Sequence, residues 1–177
     1  IDIEAAPTIV NSNYRQALEK TTGLLLSEES TPLFSVGYRG LNPHRAQFTQ
    51  VLKDGIPIHA DMFGYPEAYY VPPLETIDHI DFIHGGGALL YGPQPGGALN
   101  FVTKDPYAEG PFSITEQNSV GSHGLFSNYT AVSGTKDNFG YNTYFHHRQS
   151  QGFRDNNSQF AVNYGGTKFR IQQDPSA

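Results

Sequence analysis

The C-terminal part of the chain alternates apolar and polar residues with a period of two, the pattern of half-buried β-strands. Between residues 139 and 148 the odd positions through 145 carry Phe, Tyr, Thr and Phe, while the even positions include Asn, His and Arg. The alternation returns at 159–164 and 168–172, and Gly165-Gly166 between these runs predicts a tight hairpin turn. Weaker strands are predicted over 117–122 and 126–133. The pattern predicts four or five antiparallel strands with one polar and one aromatic face.

Strands of this kind build either the wall of a transmembrane β-barrel or a soluble sheet with one solvent-exposed face. Periodicity alone favours the soluble sheet. A helical membrane protein is excluded, because the longest apolar runs, such as Gly23 to Leu26, span a few residues and a transmembrane helix needs about 20. A barrel stays possible, because its strands never contain a long apolar run.

The N-terminal part mixes helix and strand signals, which predicts a compact α+β unit. A β-prone run at 8–10 precedes Asn11 and Ser12, which can cap a helix that places Tyr14, Ala17, Leu18 and Thr21 on one face before Gly23 ends it. Strands are predicted over 34–41, 50–57, 77–84 and 98–103, with a turn at Asp54-Gly55, short helices at 73–77 and 85–91, and a loop at 92–97.

Charge divides the chain at the same place as the change of pattern. Among the 177 residues, 1–106 carry 6 Lys and Arg against 12 Asp and Glu, whereas 107–177 carry five of each. We therefore predict two domains, 1–106 and 107–177. The acidic first part argues against a nucleic-acid partner, because phosphate binding needs a clustered positive field.

The residue types that usually carry enzyme or metal chemistry are absent or badly spaced. The chain has no cysteine, and no Gly-x-Ser-x-Gly or Gly-Lys-Ser/Thr sequence occurs. Adjacent His146 and His147 would point to opposite faces of a strand, and the other five histidines lack ligand spacing. We predict neither an enzyme nor a protein-bound metal.

Three segments of the N-terminal part carry a family resemblance. They are Val36-Gly37-Tyr38-Arg39-Gly40-Leu41, then Val51-Leu52-Lys53-Asp54-Gly55-Ile56-Pro57, and then residues 80–104 with Gly85-Gly86-Gly87-Ala88, Tyr91-Gly92-Pro93-Gln94 and Asn100-Phe101-Val102-Thr103. In this order they resemble the plug domain of TonB-dependent outer-membrane receptors, and the residues of the motifs are most similar to those of the ferric dicitrate receptor branch.

The resemblance implies an α+β plug domain, a small mixed sheet with short helices, over residues 1–106. It implies that 107–177 are the first antiparallel strands of a transmembrane β-barrel of about 22 strands, of which the chain holds only a fragment. We expect the chain to be a piece of a longer protein, since most of such a barrel is missing, no TonB-box segment is recognisable before Thr8 and the sequence contains no signalling domain.

The resemblance also implies a function, which is energy-coupled uptake of a ferric chelate across the outer membrane of a Gram-negative bacterium. The implied partners are the TonB energy-coupling complex, the chelate and outer-membrane lipid, and iron is bound only as chelate cargo rather than as a cofactor. Iron(III) dicitrate is the expected chelate. A receptor of this fold for a siderophore or other cargo, and a soluble β-rich binding module, are the alternatives.

An anionic, oxygen-rich chelate needs cationic and amide donors on the plug loops at 42–50 and 91–96. The candidate ligand-binding residues are Arg45, Gln47, Gln50 and Gln94, for each of which a merely solvated loop position is the alternative. Arg39 is expected to contact the barrel wall, with contact to the ligand as the alternative. Asp54, Gly55, Gly92, Gly96 and Gly97 are expected to be structural.

Overall fold

The computed structural model describes residues 14–19, 21–27, 35–60, 70–106, 108–152, 154 and 156–172. The chain forms two compact units, unit 1 at Ile1–Lys104 and unit 2 at Asp105–Ala177, and each is described by itself. The predicted β-run at 8–10 and the caps Asn11 and Ser12 lie outside the described residues.

Unit 1 begins with the predicted helix and a strand that the sequence pattern did not predict. Helix α1 spans Tyr14–Leu18, shorter than predicted, and buries Ala17 and Leu18. Gly23 follows with a φ of 86°, a left-handed conformation that glycine adopts without strain, and the chain turns directly into strand β1 at Leu24–Ser27. Strand β1 pairs antiparallel with β2 at Ser35–Tyr38, which lies within the predicted strand 34–41.

The centre of unit 1 is a four-stranded mixed sheet in the order β4-β3-β6-β5. Its strands are β3 (Gln50–Lys53), β4 (Ile56–Pro57), β5 (Ile77–Ile83) and β6 (Ala98–Thr103). Strands β3 and β6 run parallel, and the other two pairings are antiparallel. Short 3₁₀ helices at His44–Ala46, Leu74–Thr76 and Gly85–Leu90 connect the strands, the last two where short helices were predicted.

The core of unit 1 lies where the helix packs on this sheet. Leu18, Ile80, Leu99 and Phe101 are fully buried in one cluster, and the Tyr14 ring meets the Phe101 ring edge to face at 5.5 Å. Strand β5 carries a bulge between Ile77 and His79, so its buried positions do not alternate regularly. The bulge interrupts the regular alternation of side chains between the two faces of the sheet.

Unit 2 is a four-stranded antiparallel meander in the order β10-β9-β8-β7. Strands β7 (Ser113–Gly121), β8 (Leu125–Lys136), β9 (Phe139–Ser150) and β10 (Phe160–Ile171) are longer than the runs predicted for them. The antiparallel strands predicted from the period of two are thus confirmed, with four in the described part of unit 2.

The hairpin turn predicted at Gly165-Gly166 is wrong. Both glycines lie inside the continuous strand β10, where Gly165 pairs with Phe145 and Gly166 pairs with Tyr144. A Cβ atom on Gly166 would stand 2.8 Å from Cε1 of Tyr144, so glycine makes room here for a ring from the neighbouring strand. The local turn signal is overridden because the pairing with β9 continues on both sides.

Among the residues described, no helix is long and apolar enough to cross a membrane.

Candidate functional site

The two loops predicted to hold ligand lie side by side in unit 1. The loop before β3 and the loop before β6 end at the same edge of the sheet, because these two strands are parallel. Backbone hydrogen bonds join the loops, from Gly96 N to Phe48 O at 2.7 Å and from Gln50 N to Gly97 O at 2.9 Å. The sheet therefore fixes the spacing of the candidate site.

Arg45 sits in a backbone conformation that is unusual for its residue type. It has a φ of 45°, and Ala46 follows with a φ of 54°, so two consecutive non-glycine residues are left-handed. The Arg45 N–H donates to Ser35 Oγ at 3.1 Å, and Ala46 N–H donates to Pro43 O at 3.0 Å. Conformations of this kind persist where surrounding contacts hold them, and they are common at ligand sites.

The side chains of Gln50 and Gln94 both lie against Gly92. A Cβ atom on Gly92 would stand 2.1 Å from Gln50 Oε1 and 2.8 Å from Gln94 Oε1, so no other residue fits there without movement. Gln50 is only 3% exposed, whereas Gln94 is half-buried. The structure thus brings these two predicted amides together, and Gln50 lies beneath the loop surface.

Two buried oxygens in these loops have no hydrogen-bond partner among the described residues. They are Gln94 Oε1 and Thr49 Oγ1. A Cβ atom on Gly96 would stand 2.7 Å from Thr49 Oγ1, so both oxygens lie beside the glycines of the second loop. Buried polar atoms are normally paired, and such exceptions are candidates for contact with a ligand or an ordered water. Sequence reasoning missed Thr49, since a lone threonine carries no motif.

Gln47 is half-buried at the end of the Arg45 turn, and its N–H donates to His44 O at 3.1 Å. The structure therefore places Arg45 and Gln47 in one turn of the first loop, and Gln50 and Gln94 in a cluster at Gly92. Their roles in ligand binding stay predictions.

Hydrogen bonds with strand β6 fix the Asp54-Gly55 turn between β3 and β4. Thr103 donates to the Asp54 carboxylate twice, from its N–H at 2.8 Å and from its hydroxyl at 2.7 Å. Gly55 N–H donates to Asn100 Oδ1 at 2.9 Å. The Asn-Phe-Val-Thr sequence thus supplies two side chains that fix the preceding motif in space.

We expect Asp54→Ala to lower the free energy of unfolding of unit 1 by about 1–2 kcal/mol, because two hydrogen bonds to an exposed carboxylate are lost. Amide hydrogen exchange of β6 in the full-length protein measures this. Thr103→Val removes one of the two bonds and is expected to cost less. Additive costs in the Asp54→Ala/Thr103→Val double variant would contradict the coupling.

Arg39 borders a cleft of about 500 Å³ in unit 1. Its guanidinium carbon lies 5.1 Å from the centre of the Tyr38 ring, and the backbone N–H of Arg39 donates to Gly23 O at 2.9 Å. Phe82 and His84 stack at 5.7 Å along the same cleft. The contact of Arg39 with a barrel wall stays a prediction.

The paired histidines of β9 point to opposite faces of the sheet, as their adjacency predicted. His146 is buried with its Nε2 3.0 Å from Ser127 Oγ, whereas His147 lies with its Nδ1 2.8 Å from Asn163 Oδ1 on the other face. Within the described ranges, no three His, Cys, Asp or Glu side chains are grouped to hold a metal ion.

Residues 2–99 match the sequence profile of the TonB-dependent receptor plug domain. The chain belongs to this family. The plug match covers the motifs at 36–41 and 51–57 and most of the segment at 80–104.

Similar solved structures extend the likeness into unit 2. The ferric citrate transporter FecA in its unliganded form is 32% identical, with a TM-score of 0.68 over 84% of this chain and 24% of that one. The siderophore receptor PirA from Pseudomonas aeruginosa is 21% identical, with a TM-score of 0.68 over 99% of this chain and 32% of that one. The copper transporter OprC is 19% identical, with a TM-score of 0.69 over 90% of this chain and 26% of that one.

This chain therefore spans 24 to 32% of the length of these structures. It combines a plug domain with antiparallel strands that resemble the start of a TonB-dependent receptor barrel. The ferric dicitrate branch expected from the motifs is supported by the identity to FecA.

Proposed function

We propose that the full-length plug-domain protein is an outer-membrane receptor that takes up a ferric chelate, and that the chelate is iron(III) dicitrate. The observation that carries this proposal is the plug-domain match together with 32% identity to a ferric citrate transporter. The other relatives carry siderophore and copper in their names, so a different cargo on the same fold is the second candidate.

The loop geometry supports a ligand that is anionic and rich in oxygen. Arg45 supplies a permanent positive charge and up to five N–H donors, and its turn is held in place by Ser35. Gln94 supplies an amide from the adjoining loop, and the Thr49 hydroxyl lies beside Gly96 of that same loop. Charge-assisted hydrogen bonds to carboxylates are about twice as strong as neutral ones, so Arg45 is the main contributor in this proposal.

In this proposal the protein makes and breaks no covalent bond. Iron enters as cargo inside its chelate, and the chain itself needs no cofactor. The plug closes the barrel, and the TonB energy-coupling complex, implied by the family, pulls on the N-terminal segment to rearrange it. Unit 2 then contributes the first strands of the wall, in contact with outer-membrane lipid.

Titration of the full-length receptor with ferric citrate tests the proposal. We expect the Arg45→Ala/Gln94→Ala double variant to bind at least tenfold more weakly, about 1.4 kcal/mol, because it loses one charge and one amide from adjoining loops. Isothermal titration calorimetry gives this ratio directly.

The matched control is Arg15→Ala/Gln16→Ala, which removes the same two residue types from exposed positions on α1. Its affinity should equal that of the wild type. Unchanged affinity in the Arg45/Gln94 variant would remove these residues from the site, and a wild-type receptor that binds a siderophore but not ferric citrate would favour the second candidate.

A further inference from the structure

One face of the unit 2 sheet carries exposed apolar side chains. Ile114, Phe145, Phe169 and Ile171 are 51 to 73% exposed, and the strand register places all four on the same side. The opposite side carries buried Ser127 and His146, along with Arg148 and Lys168. We call the first side the apolar face, and under the proposed function it faces lipid.

Aromatic rings cluster at the end of the apolar face where the turn at 137–138 lies. The Phe139 ring lies 5.7 Å from the Phe169 ring and 6.4 Å from the Tyr141 ring. Rows of aromatic residues flank the apolar band of membrane barrels at the interface with water. This cluster therefore marks one edge of the band.

A row of polar side chains crosses the other half of the apolar face. We call it the polar ladder, and it consists of Asn118, Asn128, His147 and Asn163, one residue from each strand, in direct cross-strand register. Asn128 Nδ2 donates to Asn118 Oδ1 at 2.7 Å, and His147 Nδ1 lies 2.8 Å from Asn163 Oδ1.

The polar ladder is extended by hydrogen bonds along two strands. Asn118 Nδ2 donates to Glu116 Oε1 at 2.9 Å, and His147 Nε2 lies 3.4 Å from Gln149 Oε1. Such a connected row on an apolar face is costly in hydrocarbon but not in a layer of polar headgroups.

The strand geometry places the ladder near that layer. From Phe139 to His147 strand β9 advances by about 26 Å at ~3.3 Å per residue, or about 20 Å along the membrane normal for a tilt near 40°. The apolar band of membrane barrels is about 25 Å tall. Gln149 lies two residues beyond His147 on the same face of β9. It therefore lies at about the height of the edge of the apolar band opposite the aromatic cluster.

A cavity of about 400 Å³ opens at this height. Its lining includes the amides of Gln149, Gln151 and Gln159 and the hydroxyl of Ser150, with no charged side chain among the described lining residues. Gly124, Phe160 and Ala161 complete the described lining. Gln149 belongs to both features, so the ladder adjoins the amides of the cavity.

We propose that the polar ladder and the amide-lined cavity bind the uncharged, hydroxyl-rich headgroup of a membrane glycolipid. The inference rests on the proposed function, because only a barrel wall brings this surface against lipid. Glutamine and asparagine amides both donate and accept hydrogen bonds, as sugar hydroxyls do. An anionic phosphate headgroup would instead call for Lys or Arg, and the described lining residues include neither.

The test uses the full-length receptor in lipid nanodiscs. The discs contain phosphatidylcholine with equal amounts of monoglucosyl diacylglycerol and phosphatidylglycerol that share the same acyl chains, so only the headgroup differs. Native mass spectrometry counts the lipids that stay bound. We expect the glucosyl lipid to be retained at least about threefold over phosphatidylglycerol, and the preference to disappear in Gln149→Ala/Gln159→Ala.

The matched control is Gln117→Ala/Gln172→Ala, which removes two exposed glutamines outside the cavity. It should keep the wild-type preference. Equal retention of both lipids, a preference for phosphatidylglycerol, or an equal loss in the control overturns the inference. A receptor that inserts and binds ferric citrate without this preference overturns the inference alone, whereas a receptor that does not insert overturns the proposed function as well.

Discussion

Gly97→Ala is expected to lower the stability of unit 1 by about 2–5 kcal/mol and to weaken the proposed ferric citrate binding with it. Gly97 has a φ of 89°, which costs a residue with a Cβ atom about 1–2 kcal/mol. The new Cβ would also stand 2.7 Å from the Ile83 carbonyl oxygen, a backbone atom that cannot swing away, and overpacking adds about 1–3 kcal/mol. Because Gly97 O accepts from Gln50 N, the strain acts on the contact that joins the two candidate loops.

Two glycines of the same unit separate these causes. Gly40 has a φ of 86° and open space around its Cβ position, so Gly40→Ala should show only the conformational cost. Gly86 has open space and no positive φ, so Gly86→Ala should be nearly neutral. Hydrogen exchange of β3 and β6 amides gives the order of the three costs, and a Gly97→Ala cost no larger than that of Gly40→Ala would refute the close approach to Ile83.

Phe101→Ala is expected to destabilise unit 1 by about 3–5 kcal/mol, because it leaves a cavity at the centre of the core. Phe101 is fully buried at the end of the β3–β6 pairing and meets the Tyr14 ring, so its loss affects both the sheet and the helix packed on it. The slowest-exchanging amides of β6 report the global opening of the unit and measure the effect.

Leu90→Ala is the control for the loss of a large apolar side chain, because Leu90 is 87% exposed in the 3₁₀ helix Gly85–Leu90. We expect a change below about 0.5 kcal/mol there. If Phe101→Ala proved as mild as Leu90→Ala, the core would not be organised around the Phe101 ring.

Local signals predicted the elements whose residues determine their own conformation. Strand β6 spans the residues 98–103 predicted for it, and Asp54-Gly55 forms the turn that this dipeptide favours. The parallel pairing of β3 with β6 could not be predicted from such signals, because nothing local to residues 50–53 specifies a partner near residue 98. Gly165-Gly166 failed as a turn signal for the same reason, since its neighbour β9 determines its conformation.

The residues of the candidate site also fall into those that local sequence signals predicted and those that they did not. Charge and amide chemistry pointed to Arg45 and Gln94, and the structure brings their loops together. The left-handed turn at Arg45 and the buried Thr49 hydroxyl could not be predicted, because arginine seldom adopts that conformation and a threonine has no burial signal of its own. The depth of Gln50 depends on Gly92, which is distant in sequence.

The two kinds of strand pairing in unit 1 differ in how they resist a mechanical pull. Strand β1 enters its antiparallel pair at Leu24, opposite Tyr38, where β2 leaves it, so tension on the N-terminal side opens that pair one rung at a time. Strands β3 and β6 are parallel, so tension along β3 loads their hydrogen bonds together in shear. A pull from the N-terminal side should therefore unzip β1 from β2 at low force while the sheet that carries both candidate loops still holds.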